Sequence, residues 1–321
     1  MRFVKAAAAI CVALGLTVAP SYAQDFPSRP IKIVVPTGPG VSPDIVSRVI
    51  GEHLSKALGQ PVVVDNRPGA SGLIGAEAAA KSPPDGYTLF FGYTAIMAMY
   101  PHLHTKSKFQ PLEQFQPVTH LLNTIFVVTA ANTAPFNTLK ELADYAKAKP
   151  GEVSYGSAGA ASHSRVATEL LAARLGDIKM THVPYPTQPG ADLISGRVQL
   201  YLDPIVTAAP LIKDKKVKAL AITSEKRASQ LPDVPALSET FPGFSSYAVI
   251  GFYAPKGTPQ PIVDRLAAEI TKIVRMPEVR QRFIDMGYEV VGSTREEFEK
   301  RATEDYQFWG KVISDAKLAV D

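Results

Sequence analysis

The chain has 321 residues, of which 46% are hydrophobic and 20% are charged, and its formal net charge is +4 at pH 7. This composition supplies enough apolar material for one or two packed cores, and it excludes disordered, collagen-like and coiled-coil proteins. The densest group of Lys and Arg, at 213–218, is typical of a solvated helix end, so we expect no nucleic-acid partner.

The first residues have the features of a secretory signal peptide. Arg2 and Lys5 precede an apolar stretch at 6–18, and Ser21-Tyr22-Ala23 matches a small-x-small cleavage site. We therefore expect residues 1–23 to be removed after Ala23. The single cysteine, Cys11, lies within this segment, so the exported chain should contain neither a disulfide nor a thiolate metal site.

The next part of the chain alternates predicted strands and helices. The apolar run at 31–35 predicts a buried strand, and Ser42 is the expected N-cap of a helix that has Pro43 in its first position and ends at Gly59. A β-α-β-α-β unit is completed by a strand at 62–65, an Ala-rich helix at 71–81 and a strand at 87–91.

A similar plan recurs about 120 residues later. It comprises a strand at 153–155, a loop at 156–161, a helix that begins at Ser162, a strand at 180–183, a short helix that Gly196 ends, and a strand at 198–202 that closes at Asp203. Towards the C-terminus, Thr258 is the expected cap of one helix, Pro277 opens another, and Thr294-x-x-Glu297 predicts a capping box.

Extended segments at 125–129 and 247–253 bracket the second unit, as expected if the chain crosses into a second domain and later returns. The predicted fold class is α/β, with two open α/β domains and a ligand cleft between them. The expected domains are 24–124 with 254–321, and 125–253 with the two crossover segments.

Ligands of open α/β sheets bind beyond the carboxyl ends of the strands, where loops lead into helix N-termini. Four loops fit this position, and two of them contain glycine and lead into capped helices, which suits an anion. These four loops are 36–42, 92–94, 156–162 and 203–207.

Two enzyme classes are alternatives to a function of binding alone. A dinucleotide site is suggested by Gly38-Pro39-Gly40 after a strand and by Asp65 at the end of the next, but Pro43 stands where the third glycine is needed. A secreted α/β hydrolase acting on a small ester or amide stays as the alternative function, although no G-x-S-x-G elbow is present. Its candidate residues are Ser157, Ser162, His163 and Asp203.

A metal site has little support in the sequence. His102-x-His104 lacks a nearby third ligand, so a surface loop is the favoured interpretation.

Several segments resemble, in order, the extracytoplasmic solute receptors of tripartite tricarboxylate transporters, the Bug or TctC-like family. The matching segments are 26–31, 59–69, 84–89, 155–159, 182–185 and 231–235. The resemblance implies a type II periplasmic binding protein fold, a periplasmic location, no catalysis and no cofactor. It also implies a small organic carboxylate ligand that is delivered to large and small membrane subunits, and we expect a monomer.

The resemblance and the loop positions together select a set of candidate ligand-binding residues. Arg165 stands where the family often has histidine, and Tyr93 with Met97 and Met99 favours an aromatic or otherwise apolar-bodied carboxylate. For Asp203, binding of an ammonium group and capping of the next helix stay open. The candidate ligand-binding residues are Thr37, Pro39, Gly40, Val41, Ser42, Asp44, Tyr93, Thr94, Ser157, Ala158, Gly159, Ser162, His163, Arg165 and Asp203.

Overall fold

The structure is a computed structural model that describes residues 26–242 and 246–320. The expected signal peptide and its cleavage site lie outside these residues. Within the described ranges, no helix combines the length and the apolar character that a membrane crossing requires.

Ten strands of the described chain form one mixed, curled sheet, in the order β2-β1-β3-β9-β4-β7-β5-β6, with β10 and β8 also paired to β4. The strands are β1 (Ile31–Val35), β2 (Val62–Asn66), β3 (Thr88–Tyr93), β4 (Phe115–Ala131), β5 (Ser154–Ser157), β6 (Thr181–Pro184), β7 (Leu200–Pro204), β8 (Val217–Ile222), β9 (Tyr247–Pro255) and β10 (Tyr288–Val290).

The outer strands of this sheet pair in parallel, whereas the central pairs that involve β4 and β9 are antiparallel, and helices cover both faces. A 3-10 turn (Ala70–Gly72) precedes α2, and a π-helical turn (Ala95–Met99) follows β3. The α-helices are α1 (Ser42–Leu58), α2 (Leu73–Ala80), α3 (Tyr100–Leu103), α4 (Pro111–Gln114), α5 (Leu139–Ala148), α6 (His163–Arg174), α7 (Gly190–Ser195), α8 (Ile205–Lys213), α9 (Leu237–Thr240), α10 (Gln260–Arg275), α11 (Pro277–Asp285) and α12 (Arg295–Asp315).

Strand β4 belongs to two parts of the sheet. Its residues 115–125 pair with β9, whereas residues 126–131 pair with β7 and β8. We call the group β2-β1-β3-β9 with β10 the first sheet, and the group β7-β5-β6 with β8 the second sheet. Because β4 is shared, the chain crosses from one sheet to the other between Ile125 and Phe126.

The apolar run of β1 is buried on both faces. Ile33 packs in one cluster with residues of α1 and α10, while the adjacent Val34 packs in another with residues of α2 and α12. Helix α12 reaches both sheets, since its Phe298 lies in a core of the first sheet and its Trp309 lies in the core of the second. The C-terminal helix therefore packs beside both sheets.

Two of the expected helix caps are wrong. Val41 is the N-cap of α1, and no side chain caps it, because Ser42 is already helical. Pro259 is the N-cap of α10, since the Thr258 hydroxyl donates to the backbone oxygen of Pro255 instead. The capping box of Thr294 and Glu297 is confirmed, as is the left-handed Gly59 at the end of α1.

Candidate functional site

A cavity of about 670 Å³ opens between the two sheets. Its walls are formed where β1, β3, β5 and β7 end, and its floor is formed by Thr124 and Phe126 of β4, Ala248 and Ile250 of β9, and Tyr288 of β10. The predicted position of the site, beyond the carboxyl ends of the parallel strands, thus coincides with this cavity.

On the second-sheet side, the wall is the loop after β5 together with the start of α6. Ser162 is the N-cap of α6, and its hydroxyl accepts from the backbone N–H of Arg165 at 3.3 Å while donating to the oxygen of Gly159 at 2.8 Å. Ala158, Gly159 and Ser162 all line the cavity. The positive end of a 12-residue helix therefore faces the space where an anion would bind.

Ser157 lies behind this wall and is fully buried. Its hydroxyl donates to the oxygen of Gly159 at 2.9 Å and lies 2.7 Å from His182 Nε2. Because the only proton of the hydroxyl is used by Gly159, His182 must donate to Ser157 rather than accept from it. This direction is the opposite of the one that a hydrolase needs to activate a serine nucleophile.

His163, the first residue of α6, is a buried part of the wall. Its ring stacks on Phe126, and Trp309 of α12 packs edge-on against it. Neither ring nitrogen has a hydrogen-bond partner among the described residues. Burial lowers the pKa of His163 to about 3, so the imidazole is uncharged at neutral pH.

On the first-sheet side, Thr37 after β1 and Tyr93 at the end of β3 line the cavity. Burial raises the pKa of Tyr93 to about 12, so its hydroxyl stays protonated. The hydroxyl oxygen of Thr37 is buried without a hydrogen-bond partner in the described chain. Polar residues thus line both sides of the cavity, with Thr37 and Tyr93 on the first-sheet side and Ser162 and His163 on the other.

The loop between Thr37 and α1 lies outside the wall. Asp44 is buried, and its carboxylate accepts from the Gly40 N–H at 2.9 Å, from the Asn66 side chain at 3.0 Å and from Arg48. The Arg48 hydrogen bond, more than any other contact, lowers the pKa of Asp44 to about 2. Asp44 thus fixes the loop, whose residues Pro39, Gly40, Val41 and Ser42 do not line the cavity.

Thr94 is a structural connection between three elements. Its buried hydroxyl donates to Asp305 of α12 at 2.8 Å and accepts from the backbone N–H of Val249 at 2.8 Å. It does not line the cavity, although its neighbours Tyr93 and Ala95 do. Met97 and Met99 are likewise packed in the cores.

Arg165 and Asp203 do not line the cavity, although Arg165 contacts the lining residue Ala160. Arg165 Nη1 donates to the oxygen of Ala160 at 2.6 Å, while Glu169 accepts a short hydrogen bond from Tyr155. Asp203 is buried next to Pro204, which is the N-cap of α8, and accepts from the hydroxyl of Thr207. Burial raises the pKa of Asp203 to about 6.

Several wall residues were missed by the sequence analysis. The turn after β2, with Pro68, Gly69, Ser71 and Gly72, contributes to the first-sheet side. Gly69, Ser71 and Gly72 have positive φ, as does Ala70 between them. The sequence contains a signal for these wall residues, because the Pro68-Gly69 turn follows β2, which ends at the same edge of the sheet as β1. Other missed wall residues are Phe91, Tyr100, Phe126, Tyr201 and Tyr288.

Comparison with known proteins decides the family. The model of the tripartite tricarboxylate transporter family receptor matches residues 46–318. The chain belongs to that family. It is 32% identical to the protein BugT of Bordetella pertussis over 315 residues, which cover 96% of each chain.

Solved structures of the family agree with the fold seen here. An R. palustris protein solved with adipate has a TM-score of 0.79 and 30% identity, and the match covers 92% of this chain and 99% of that one. MatC from Rhodopseudomonas palustris with bound malate has a TM-score of 0.76 and 32% identity, covering 90% and 100%. The chain is thus a periplasmic solute-binding receptor of the Bug and TctC type.

Proposed function

We propose that this receptor captures a small organic carboxylate in the cavity between its sheets and delivers it to the large and small membrane subunits of a tripartite transporter. The observation that carries the proposal is the cavity itself, which has the start of α6 on one wall and strand ends of the first sheet on the other. Adipate and malate, bound by two structural neighbours, are small carboxylates of this kind.

The carboxylate is held, in this proposal, at the start of α6. The backbone N–H groups of the first turn and the loop residues Ala158 and Gly159 surround an oxyanion, and the Ser162 hydroxyl lies beside them. Each charge-assisted hydrogen bond of this kind contributes about 1.5–3 kcal/mol. Thr37 and Tyr93 complete the contact from the first sheet. The residues behind the wall, such as Asp44, Thr94 and Ser157, hold these contacts in place.

An aromatic or otherwise apolar-bodied ligand fits the rest of the wall. Six phenylalanine and tyrosine rings border the cavity, and flat ring faces pack well against an aromatic or aliphatic body. These rings belong to Phe91, Tyr93, Tyr100, Phe126, Tyr201 and Tyr288.

Binding is proposed to close the two domains, 24–124 with 254–321 and 125–253, by bending at β4 and β9. The chain crosses between the proposed domains within β4 and again just before β9, where the backbone N–H of Ser246 donates to the oxygen of Thr223, the residue after β8. Hinge closure around a ligand is a common movement of two-domain receptors. The closed monomer is the form that we propose the membrane subunits recognise.

A thermal-shift screen followed by calorimetry tests the proposal. Purified receptor is titrated with benzoate, phthalate isomers, hexanoate, adipate, citrate and succinate, because a ligand selective for the folded state raises the melting temperature. Uptake of the bound acid into vesicles that contain both membrane subunits tests delivery. If none of these acids binds, the carboxylate proposal is wrong; hydrolysis of small esters or amides by the receptor would contradict binding alone.

A further inference from the structure

Outside the cavity, the two proposed domains touch on one flank of the hinge. Gln230, in the segment after β8, donates from its side-chain Nε2 to the backbone oxygen of Ile284 in α11, at 2.9 Å. Further along the chain, Gly287 packs against the first turn of α8, where an added Cβ would lie 3.0 Å from Ile205 Cγ2 and 3.1 Å from Val206 Cβ. We call these contacts of Gln230 with Ile284, and of Gly287 with Ile205 and Val206, the flank contact.

Each side of the flank contact is anchored in a different core. Leu231, which follows Gln230 in the chain, packs in a core with Ile205. Phe283, which precedes Ile284, packs in a core of the first sheet. Because both segments are fixed to their own domain, a rotation of one domain against the other must change the flank contact and cannot be absorbed by either backbone.

The cavity walls stand apart in the conformation seen here, whereas the flank is closely packed. The hydroxyl of Thr37 on the first-sheet side and both ring nitrogens of His163 on the second-sheet side have no hydrogen-bond partner among the described residues. At Gly287, by contrast, even a single added carbon would displace its neighbours. A hinge rotation that brings the walls together therefore has little room to bring the flank closer, so it must separate the flank contact or slide it apart.

The flank contact also lies directly next to the cavity in the chain. Gly287 precedes Tyr288, and Ile205 follows Pro204, and both Tyr288 and Pro204 line the cavity. These two lining residues pair with β4 on either side of the point where the chain crosses between the sheets. A movement of the cavity walls is therefore transmitted to the flank contact through adjacent residues.

We propose that Gln230 is a positioning residue that sets ligand affinity from outside the cavity, because its hydrogen bond to Ile284 holds the cavity walls apart. This inference rests on the domain closure in the proposed function. The apparent affinity of a receptor that must close is reduced by the fraction of molecules that are closed, and a contact made only in the open form lowers that fraction. Loss of one such hydrogen bond should raise the affinity by about two- to ten-fold.

A matched pair of glutamine variants tests this role by calorimetry with adipate, which a structural neighbour binds. Gln116 is the control, because its Nε2 donates to the backbone oxygen of Thr258 at 2.8 Å within the first proposed domain, and both glutamines are half-buried. Gln230→Ala leaves the Ile284 oxygen paired with the backbone N–H of Gly287 at 2.8 Å. We expect tighter binding for Gln230→Ala and unchanged binding for Gln116→Ala. Unchanged or weaker binding for Gln230→Ala would overturn the proposal.

A matched pair of glycine variants tests the other half of the flank contact. Gly287 and Gly257 both have positive φ, at +82° and +92°, so alanine strains the backbone at each position. Only at 287 does the added Cβ meet the other domain, since its nearest neighbour at 257 is Pro84 at 3.8 Å. We expect tighter adipate binding for Gly287→Ala than for Gly257→Ala. Weaker binding for Gly287→Ala would mean that closure needs the flank contact, and would overturn the proposal.

Spin labels measure the same equilibrium without any ligand. Ile74 in α2 and Ile194 in α7 are exposed and follow lining segments on opposite sides of the cavity. The sequence has one cysteine, Cys11, within the expected signal peptide, so Ile74→Cys and Ile194→Cys give two specific labels. Pulsed electron resonance should show shorter label distances more often in Gln230→Ala than in wild type or Gln116→Ala. Identical distributions in all three proteins would overturn the proposal.

The two measurements separate this inference from the proposed function. If none of the carboxylates in the thermal-shift screen binds, the proposed function fails, whereas the label distances still decide whether Gln230 holds the walls apart. If adipate binds and Gln230→Ala changes neither its affinity nor the label distances, the receptor function stands and the role of Gln230 is wrong.

Discussion

The imidazole of His163 lies almost parallel to the ring of Phe126, with 4.6 Å between the ring centroids and 13° between the planes. Phe126 is the residue at which β4 passes from the first sheet to the second, and His163 is the first residue of α6. The contact therefore joins the proposed anion-binding helix to the crossover strand. Stacking of this kind adds about 0.5–1.5 kcal/mol beyond the burial of area.

Replacing this imidazole tests its uncharged state. Burial lowers the pKa of His163 from 6.5 to about 3, so protons bind the unfolded chain preferentially between these values and stability falls as the pH falls below 6.5. At about pH 5 the loss should be about 2 kcal/mol, and His163→Phe should remove it. Removing two unpartnered nitrogens should also stabilise the protein near neutral pH by about 1 kcal/mol.

The measurement is urea unfolding of the wild type and of His163→Phe between about pH 5 and 8. Burial also lowers the pKa values of His120 and His182 to about 4, but both histidines are present in each protein, so their contribution cancels in the difference. Parallel pH profiles for wild type and His163→Phe would mean that His163 is charged in the folded state.

The N-cap of α6 should matter for both stability and binding. Ser162→Ala removes the hydroxyl that accepts from the Arg165 N–H, and should lower the free energy of unfolding by about 1 kcal/mol and weaken carboxylate binding. Thr138→Ala is the matched control, because Thr138 caps α5 in the same way and does not line the cavity. An equal loss of affinity in both variants would mean that the α6 cap has no specific role in carboxylate binding.

The loop after β5 needs a glycine at 159. Gly159 has a φ of +106°, and an added Cβ would meet nothing closer than the Tyr185 oxygen at 3.9 Å, so Gly159→Ala is penalised by backbone strain, by about 1–2 kcal/mol. Gly151, with a φ of +83° and similar space, is the control outside the cavity. Calorimetry should show weaker benzoate binding for Gly159→Ala only, despite similar losses of stability. Unchanged affinity in Gly159→Ala would remove this loop from the binding site.

Asp203 should show the opposite pH dependence to His163. Burial raises its pKa from 3.8 to about 6, so the folded state binds the proton more tightly and stability is lost as the pH rises through that range. Asp203→Asn should gain stability relative to wild type between about pH 4 and 8, by at most about 3 kcal/mol. Thermal unfolding of the wild type and of Asp203→Asn at about pH 4 and pH 8 measures this difference in stability.

The same variant addresses the two roles considered for Asp203. If it binds an ammonium group of the ligand, Asp203→Asn should lose affinity for an amino acid that binds the wild type. If it only supports α8 through Thr207, affinity for benzoate and for amino acids should not fall. A fall in stability of Asp203→Asn at about pH 8 would contradict the expected destabilising charge.

Local sequence patterns were sufficient to predict most of the helices and strands. Alternating apolar runs and glycine or proline stops placed α1, α6, α11 and α12, and the strands at 31–35 and 62–65 agree with β1 and β2 to within one residue. Strands β5, β6 and β7 begin one or two residues later than expected. Periodicity did not predict β8 or β10. Both segments lack a strong pattern of their own and form strands because they pair with β4.

The site was predicted less completely than the fold. The sequence placed Thr37, Tyr93, Gly159, Ser162 and His163 at strand ends, and all five line the cavity. The ends of strands and the glycine or proline stops of helices are local properties, which the sequence of one segment encodes. For that reason the edge of the sheet that holds the site could be predicted before its walls were known.

Only the tertiary structure decided which side chains face that space. Arg165 lies in the first turn of α6 and Asp203 near the end of β7, yet neither lines the cavity, since their side chains contact Ala160 and Thr207. Phe126 and Tyr288 join the wall from strands of the crossover region, far along the chain from the loops. The sequence determines where strands end, but the charge of the cavity depends on hydrogen bonds and packing between distant segments, and these exist only once the sheets have assembled.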